Sequence, residues 1–179
     1  MGILFFLKMA INFFSGKKEF RSLSNFWEYD VVIDGRVYPS GEHAFHGEKF
    51  LRLALLIDDQ DRAARMMDYG ATFMKPSYQT PALAKKMGGK KGFALKDYEI
   101  NQWSRISLDV QRDISRFKFD NYEQVRQDLL ASKGKILIHP ALRCSKPQNC
   151  FWEGKLVDGV VVGANHLGFI WMQLRDSNL

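Results

Sequence analysis

The stretch YDVVIDGRVYPSGEHAFHGEKF, residues 29–50, decides the reading of the fold. Tyr29–Ile33 and Arg36–Tyr38 are β-prone runs. The Asp34-Gly35 dipeptide between them suits a type I′ turn, in which both central residues take positive φ, so the stretch predicts a hairpin. Pro39-Ser40-Gly41 ends it. Ser40 is placed to cap a following helix, with Glu42 in its first turn and helical character to about Leu56.

Downstream, Asp58–Met67 reads as a short helix ended by Tyr69-Gly70, and Ala82–Met87 as another, stopped by Gly88-Gly89. Ile100, Trp103, Ile106, Val110, Ile114 and Phe117 recur at helical spacing and predict a long amphipathic helix with those residues inward. Asn121 is expected to cap a further helix running to about Ser132, with Gly134 as its stop. Lys135–His139 and Val160–Val162 read as short strands. Asn165 is expected to cap a last helix that turns Leu167, Ile170 and Leu174 inward. The pattern is an α+β chain, mainly α-helical, with a hairpin and short strands; no repeat or low-complexity linker divides it.

A length of 179 residues fits one domain with a sizeable core. Hydrophobic residues at 46% and charged residues at 26% exclude a wholly disordered, collagen-like or coiled-coil chain. Aromatics reach 13% and the net charge is +6, a pairing suited to nucleotides because rings stack on bases and cations meet phosphates. Cys144 and Cys150, the only cysteines, form neither a disulfide framework nor a CxxC pair, which fits a reducing interior. The apolar run Ile3–Leu7 is broken by Lys8 and has neither a basic leader nor a clear cleavage site. A soluble, cytoplasmic protein without a membrane span is expected.

Glu42, Phe45, His46 and Lys49 lie at i, i+3, i+4 and i+7 and share one helix face. Unpaired N–H groups in the first turn stabilise Glu42 as the anion, which suits a base or a partner for developing positive charge. The competing reading is a solvated Glu42, Glu48 and Lys49 over buried Phe45 and Phe50. His43 and His46 lack a third partner, so no metal is expected. Trp103 has core packing as its default, and Arg105 beside it is compatible with a cleft edge. Gly163–Gly168 allows backbone N–H groups to approach a phosphate, or is plain helix punctuation. Lys85, Lys86, Lys90 and Lys91 form either a nucleic-acid patch or a solvated loop. No P-loop, GxGxxG or GxSxG occurs, which argues against NTP hydrolysis, Rossmann redox chemistry and serine hydrolysis.

Phe13-Phe14-Ser15, Leu23-Ser24-Asn25-Phe26, Asp34-Gly35, Tyr38, Ser40–Phe45 and Lys49-Phe50 together resemble the opening motifs of the NADAR, or YbiA-like, family. Trp103, Lys118-Phe119, Leu129-Leu130, Phe151-Trp152 and Gly163–Gly168 with Met172 and Arg175 continue the match in the family's order. The resemblance implies an N-terminal extension over residues 1–10 and one compact domain over 11–179. It also implies an N-glycosidase that cleaves between ribose and a nitrogen leaving group, without metal or redox cofactor. The family's essential glutamate falls on Glu42 and its tryptophan on Trp103. This chain has His139 where many members have an acid in the strand before the cysteine loop, and Asn149 in place of the Asp before the aromatic-Trp pair.

In the N-glycosidase reading, Glu42 stabilises the oxocarbenium-like sugar or activates water, Trp103 stacks on the leaving base and His139 supplies a proton. Ser24, Asn25, Phe26, Phe45, Lys49, Arg105, Asn149, Trp152, Asn165 and Gly168 are the expected substrate contacts. The expected substrate is ADP-ribosylated guanine in DNA or RNA, or a phosphoribosyl-amine intermediate of riboflavin synthesis, acted on by a monomer. The departures at His139 and Asn149 motivate an alternative, a non-catalytic module that binds ADP-ribose or an NAD derivative. A third reading is a nucleic-acid-binding protein working through the lysine cluster.

Overall fold

The computed structural model describes residues 9–76, 79–142 and 144–179; residues 1–8 of the expected N-terminal extension lie outside them. The chain adopts the expected α+β, mainly helical class, in two compact units: Asn25–Asn121, and the residues up to Ser24 together with Tyr122–Leu179. No helix among the described residues is long and apolar enough to cross a membrane.

In the first unit the predicted hairpin pairs β2 (Val31–Ile33) with β3 (Arg36–Tyr38), antiparallel, and Asp34 and Gly35 take φ 48° and 77° at the turn. Helices α1 (Gly41–Ala54), α2 (Gln60–Ala71), α3 (Pro81–Gly88) and α4 (Asp97–Asn121) follow. Phe50, Leu53, Met66, Phe73, Val110 and Ile114 are fully buried and form the centre of the core. Glu99, completely buried, receives Arg62 and the Lys96 N–H, which joins α2 to the start of α4. Burial alone would raise its pKa, but those hydrogen bonds and the Arg62 charge outweigh it and hold the carboxylate below the usual range.

The face that α4 buries differs from the apolar stripe read from the sequence. Ile100 is exposed, and Trp103, Ile106 and Phe117 are half-buried. Beyond Glu99 at its start, α4 buries Val110, Ile114 and Phe119 together with Ser107, Gln111, Ser115 and Lys118, a polar row at steps of 4, 4 and 3. A search for apolar periodicity passes over such a row, because it counts only one half of the inward face.

The second unit holds a parallel pair, β1 (Ala10–Asn12) with β4 (Ile136–Ile138), and an antiparallel hairpin, β5 (Lys155–Val157) with β6 (Val160–Val162). Helices α5 (Glu123–Ala131) and α6 (His166–Asn178) complete it. Ala10, assigned to the extension, is thus the first residue of a strand. Leu167, Ile170 and Leu174 turn inward as expected, joined by the fully buried Trp171, whose Nε1–H donates to the Leu23 carbonyl at 2.9 Å. Arg175 reaches the carbonyls of Ser132 and Lys135 just past α5, at 2.8 and 2.9 Å. Asn121 is the last residue of α4 rather than the cap of α5; its amide donates back to the Phe117 carbonyl, and Tyr122 takes the cap position. The sulfurs of Cys144 and Cys150 are bonded to each other, a pairing that the sparse cysteine pattern does not announce.

The hairpin is fastened to α1 by Glu48. This fully buried carboxylate accepts Arg36 Nε and Nη2 at 2.8 and 3.0 Å, Tyr38 OH at 2.7 Å and Arg52 Nε at 3.0 Å. Hydrogen bonding to Glu48 pushes Arg36 well above its ordinary pKa, and burial followed by the same carboxylate pushes Tyr38 up. Removing one member of such a buried group leaves the others without their counter-charge. Glu48→Ala is therefore expected to lower unfolding free energy by about 3–5 kcal/mol in urea titration; a loss below about 1 kcal/mol would contradict this role.

Lys118 supplies a second test. It is buried, with its ammonium 5.5 Å from the centre of the Trp27 ring, and burial lowers its pKa to about 7. The folded value lies below the unfolded one, so from about pH 7 up to the ordinary lysine range the unfolded chain holds the extra proton and stability rises with pH. Relative to Lys118→Met, the wild type should gain up to about 1.4 kcal/mol per pH unit across that window. Parallel stability curves for the two proteins would refute the assignment.

Candidate active site

Ser40 is extended (φ −161°, ψ 169°) immediately before α1, and its Oγ accepts the His43 N–H at 3.4 Å. The next free donor, Glu42 N–H, is taken by the Asn25 carbonyl at 2.8 Å. The Asn25 side chain exchanges two hydrogen bonds with Gln111 of α4, at 2.7 and 3.2 Å, and Gln111 also donates to Ser115 Oγ at 3.2 Å. The N-terminus of α1, and Glu42 with it, is thereby tied to the middle of α4. Gln111 is absent from the sequence-derived candidates; its signal is the polar row on α4, not any motif.

The solvated reading of α1 does not hold. Glu42 is only 7% exposed, and Glu48, Lys49, His43 and His46 are also buried. Glu42 Oε1 lies 3.2 Å from His46 Nε2, while its Oε2 makes no hydrogen bond among the described residues. His43 uses both ring nitrogens: Nε2 lies 3.0 Å from the Gln79 carbonyl and Nδ1 2.8 Å from Ser40 Oγ. A carbonyl only accepts, so Nε2 carries the proton and Nδ1 accepts the Ser40 hydroxyl. Burial lowers the His43 pKa despite the favourable carbonyl, so the ring is neutral near pH 7. Lys49, one of the expected substrate contacts, donates to the Gly88 carbonyl at the end of α3, with its ammonium 4.5 Å from the Phe50 ring centre. Burial brings its pKa down to about 8. Gly88 is required here because a Cβ would overlap the His46 ring.

Phe45 and Trp103 meet edge to face, with ring centres 5.0 Å apart at 69°, and both remain half-buried. One helix turn after Glu42, the α1 face therefore ends in an aromatic wall that α4 completes. Phe26, also half-buried, has the Lys85 ammonium 5.6 Å from its ring centre. Lys85, Lys86, Lys90, Lys91 and Arg105 are all exposed. Within this unit the structure brings together Asn25, Glu42, Phe45, Lys49 and Trp103 from the predicted set.

The other predicted residues belong to the second unit. Ser24 is buried, Asn149 is exposed in a short 3-10 turn, and Trp152 is half-buried against Phe151, ring centres 5.0 Å apart. His139 Nδ1 lies 3.5 Å from the Phe13 carbonyl. Asn165, fully buried at φ 48°, accepts the His139 N–H at 3.0 Å and donates to the Leu137 carbonyl at 2.9 Å. Its amide thus ties β4 to the start of α6 and forms no side-chain cap; Gly168 packs beside the same Leu137 carbonyl. A groove lined by Asn12, Pro140, Cys144, Pro147 and Leu156 also lies in this unit and includes none of the predicted site residues.

Residues 12–177 match the model of the NADAR domain, across both units. The chain is 28% identical over 167 residues to the N-glycosidase YbiA of Escherichia coli strain K12, covering 93% of this chain and 87% of that protein. A riboflavin biosynthesis protein of Vibrio vulnificus is 25% identical over 96% of this chain, which spans 39% of that protein. An N-glycosidase of Nostoc punctiforme is 22% identical, with 94% and 92% covered. Among solved structures, the NMR structure of E. coli YbiA matches with a TM-score of 0.62 and 26% identity, over 95% of this chain and 84% of that one. With nearly its whole described length matched, the chain belongs to the NADAR domain family.

Proposed function

We propose that this protein is an N-glycosidase, a hydrolase of a ribose–nitrogen bond, with ADP-ribosylated guanine in nucleic acid as its preferred substrate and a phosphoribosyl-amine as the second. The observation that carries the reading is Glu42: a buried carboxylate with one oxygen held by His46 and the other without a hydrogen bond among the described residues, on the helix face that leads to the Phe45–Trp103 wall. N-glycosidic cleavage builds positive charge on the sugar, and a carboxylate already oriented stabilises that charge most effectively. Water attacks C1′ as the C1′–N bond breaks, Glu42 takes the water proton, and the leaving nitrogen is protonated. Trp103 and Phe45 offer ring surfaces to a base.

Preference for a nucleic-acid-linked substrate is supported by the four exposed lysines on and just after α3, one of them beside Phe26. Asn25 acts by setting Glu42, and Lys49 by holding α3; His139, Asn149, Trp152, Asn165 and Gly168 are not needed for these steps.

The test is release of ADP-ribose from a guanine-modified oligonucleotide, alongside hydrolysis of a phosphoribosyl-amine. Glu42→Gln should lower kcat by between about 10²- and 10⁴-fold. A wild type that binds ADP-ribose but turns over neither substrate would make the protein a binding module, and a Glu42→Gln variant as active as wild type would overturn the mechanism. Substituting Lys85, Lys86, Lys90 and Lys91 together by Ser should raise KM for the oligonucleotide and flatten its salt dependence, leaving the small substrate unaffected. Equal effects on both substrates would point to a small nucleotide instead.

A further inference from the structure

We propose that His46 is the positioning residue for Glu42, fixing one carboxylate oxygen through an Nε2–H donation so that the other is presented to the attacking water; this rests on the N-glycosidase reading. The sequence motifs assign His46 no role. Three observations carry the assignment. First, His46 Nε2 lies 3.2 Å from Glu42 Oε1, one helix turn away, with both side chains about nine-tenths buried. Second, the other ring nitrogen, Nδ1, is buried without a hydrogen-bond partner among the described residues. A proton on Nδ1 would bury a donor with no acceptor and set the Nε2 lone pair against the carboxylate; with the proton on Nε2, the ring donates to Glu42 and only a weak acceptor is left unpaired. The tautomer is therefore dictated by the surroundings.

Third, the ring cannot swing away. Phe45 meets it edge to face at 5.4 Å, Phe73 lies at 6.2 Å, and Gly88 leaves no room for even a methyl group. Lys49, one turn further along α1, holds that same Gly88 in place through its carbonyl. A clamped imidazole with a fixed proton makes a rigid donor, and a rigid donor orients the carboxylate before substrate arrives. In the reaction the water oxygen bonds to C1′ while the C1′–N electron pair leaves with the nitrogen. The water proton passes to Glu42 Oε2 and on to that nitrogen, so the enzyme ends unchanged and the His46 proton stays where it began.

Steady-state kinetics on the ADP-ribosylated oligonucleotide and the phosphoribosyl-amine, comparing wild type, His46→Leu and His46→Gln, tests the proposal. His46→Leu should lower kcat about 100-fold with KM within about threefold, the cost of a carboxylate free to drift by an ångström. His46→Gln, whose amide N–H can still donate to Glu42, should recover to within about tenfold of wild type. Equal losses in the two variants, or a change confined to KM, would reduce His46 to packing and overturn the proposal while leaving the glycosidase reading intact. An inactive wild type would remove the reading and the proposal together. Independently of turnover, imidazole ¹⁵N shifts should show the Nε2–H tautomer at neutral pH; an Nδ1–H ring would contradict the assignment.

Discussion

Helix α1 buries five ionisable side chains, Glu42, His43, His46, Glu48 and Lys49, and the rest of the first unit is arranged around that constraint. A buried charge without a partner is among the most costly features a fold can carry, so each of these groups must be answered by a neighbour. Glu48 is answered by the hairpin and by Arg52, Lys49 by the C-terminal carbonyl of α3, His43 by Ser40 and the Gln79 carbonyl, and His46 by Glu42. Elements far apart in sequence are thus held against one helix by polar contacts as much as by Phe50, Leu53 and the aromatic cluster.

The same constraint separates structure from chemistry along α1. Three of the five groups are committed to holding other elements. Glu42 is different, because among the described residues one of its oxygens makes no hydrogen bond, and His46 differs in that its one side-chain hydrogen bond among them is to Glu42. A site emerges where the network of satisfied partners ends. Around it, the backbone of Asn25 and its amide exchange with Gln111 fix the start of the helix, and Phe45 with Trp103 supplies the ring surface. The two lysines buried in this unit, Lys49 and Lys118, have pKa values brought down toward neutrality by desolvation, whereas Lys85, Lys86, Lys90 and Lys91 on and just after α3 are exposed.

Much of this was legible in the sequence wherever the signal was local. Asp34-Gly35 fixes the hairpin, Ser40 caps α1, and Glu42 falls in its first turn as read. The second hairpin carries the same dipeptide, Asp158-Gly159, at φ 48° and 80°; its second strand is legible in the three valines Val160–Val162, whereas the first, Lys155–Val157, opens on a lysine and has only two apolar residues to announce it. What sequence reading misplaces is polarity inside the fold. Gln111, Ser115 and Lys118 look like a solvent face until the partners that answer them are known, and those partners lie far away in the chain. Asn165 looked like a helix cap with a backbone free for phosphate; its amide is instead engaged by Leu137 and His139.

Catalysis at this site depends on where Glu42 Oε2, which makes no hydrogen bond among the described residues, points when substrate is present. A crystal structure of the protein with ADP-ribose measures this directly. Oε2 is predicted to lie within about 3.5 Å of the ribose C1′ or of a water poised to attack it, with Oε1 still on His46. A ribose bound with its anomeric carbon remote from Glu42, or a Glu42 carboxylate turned away from it, would contradict the account.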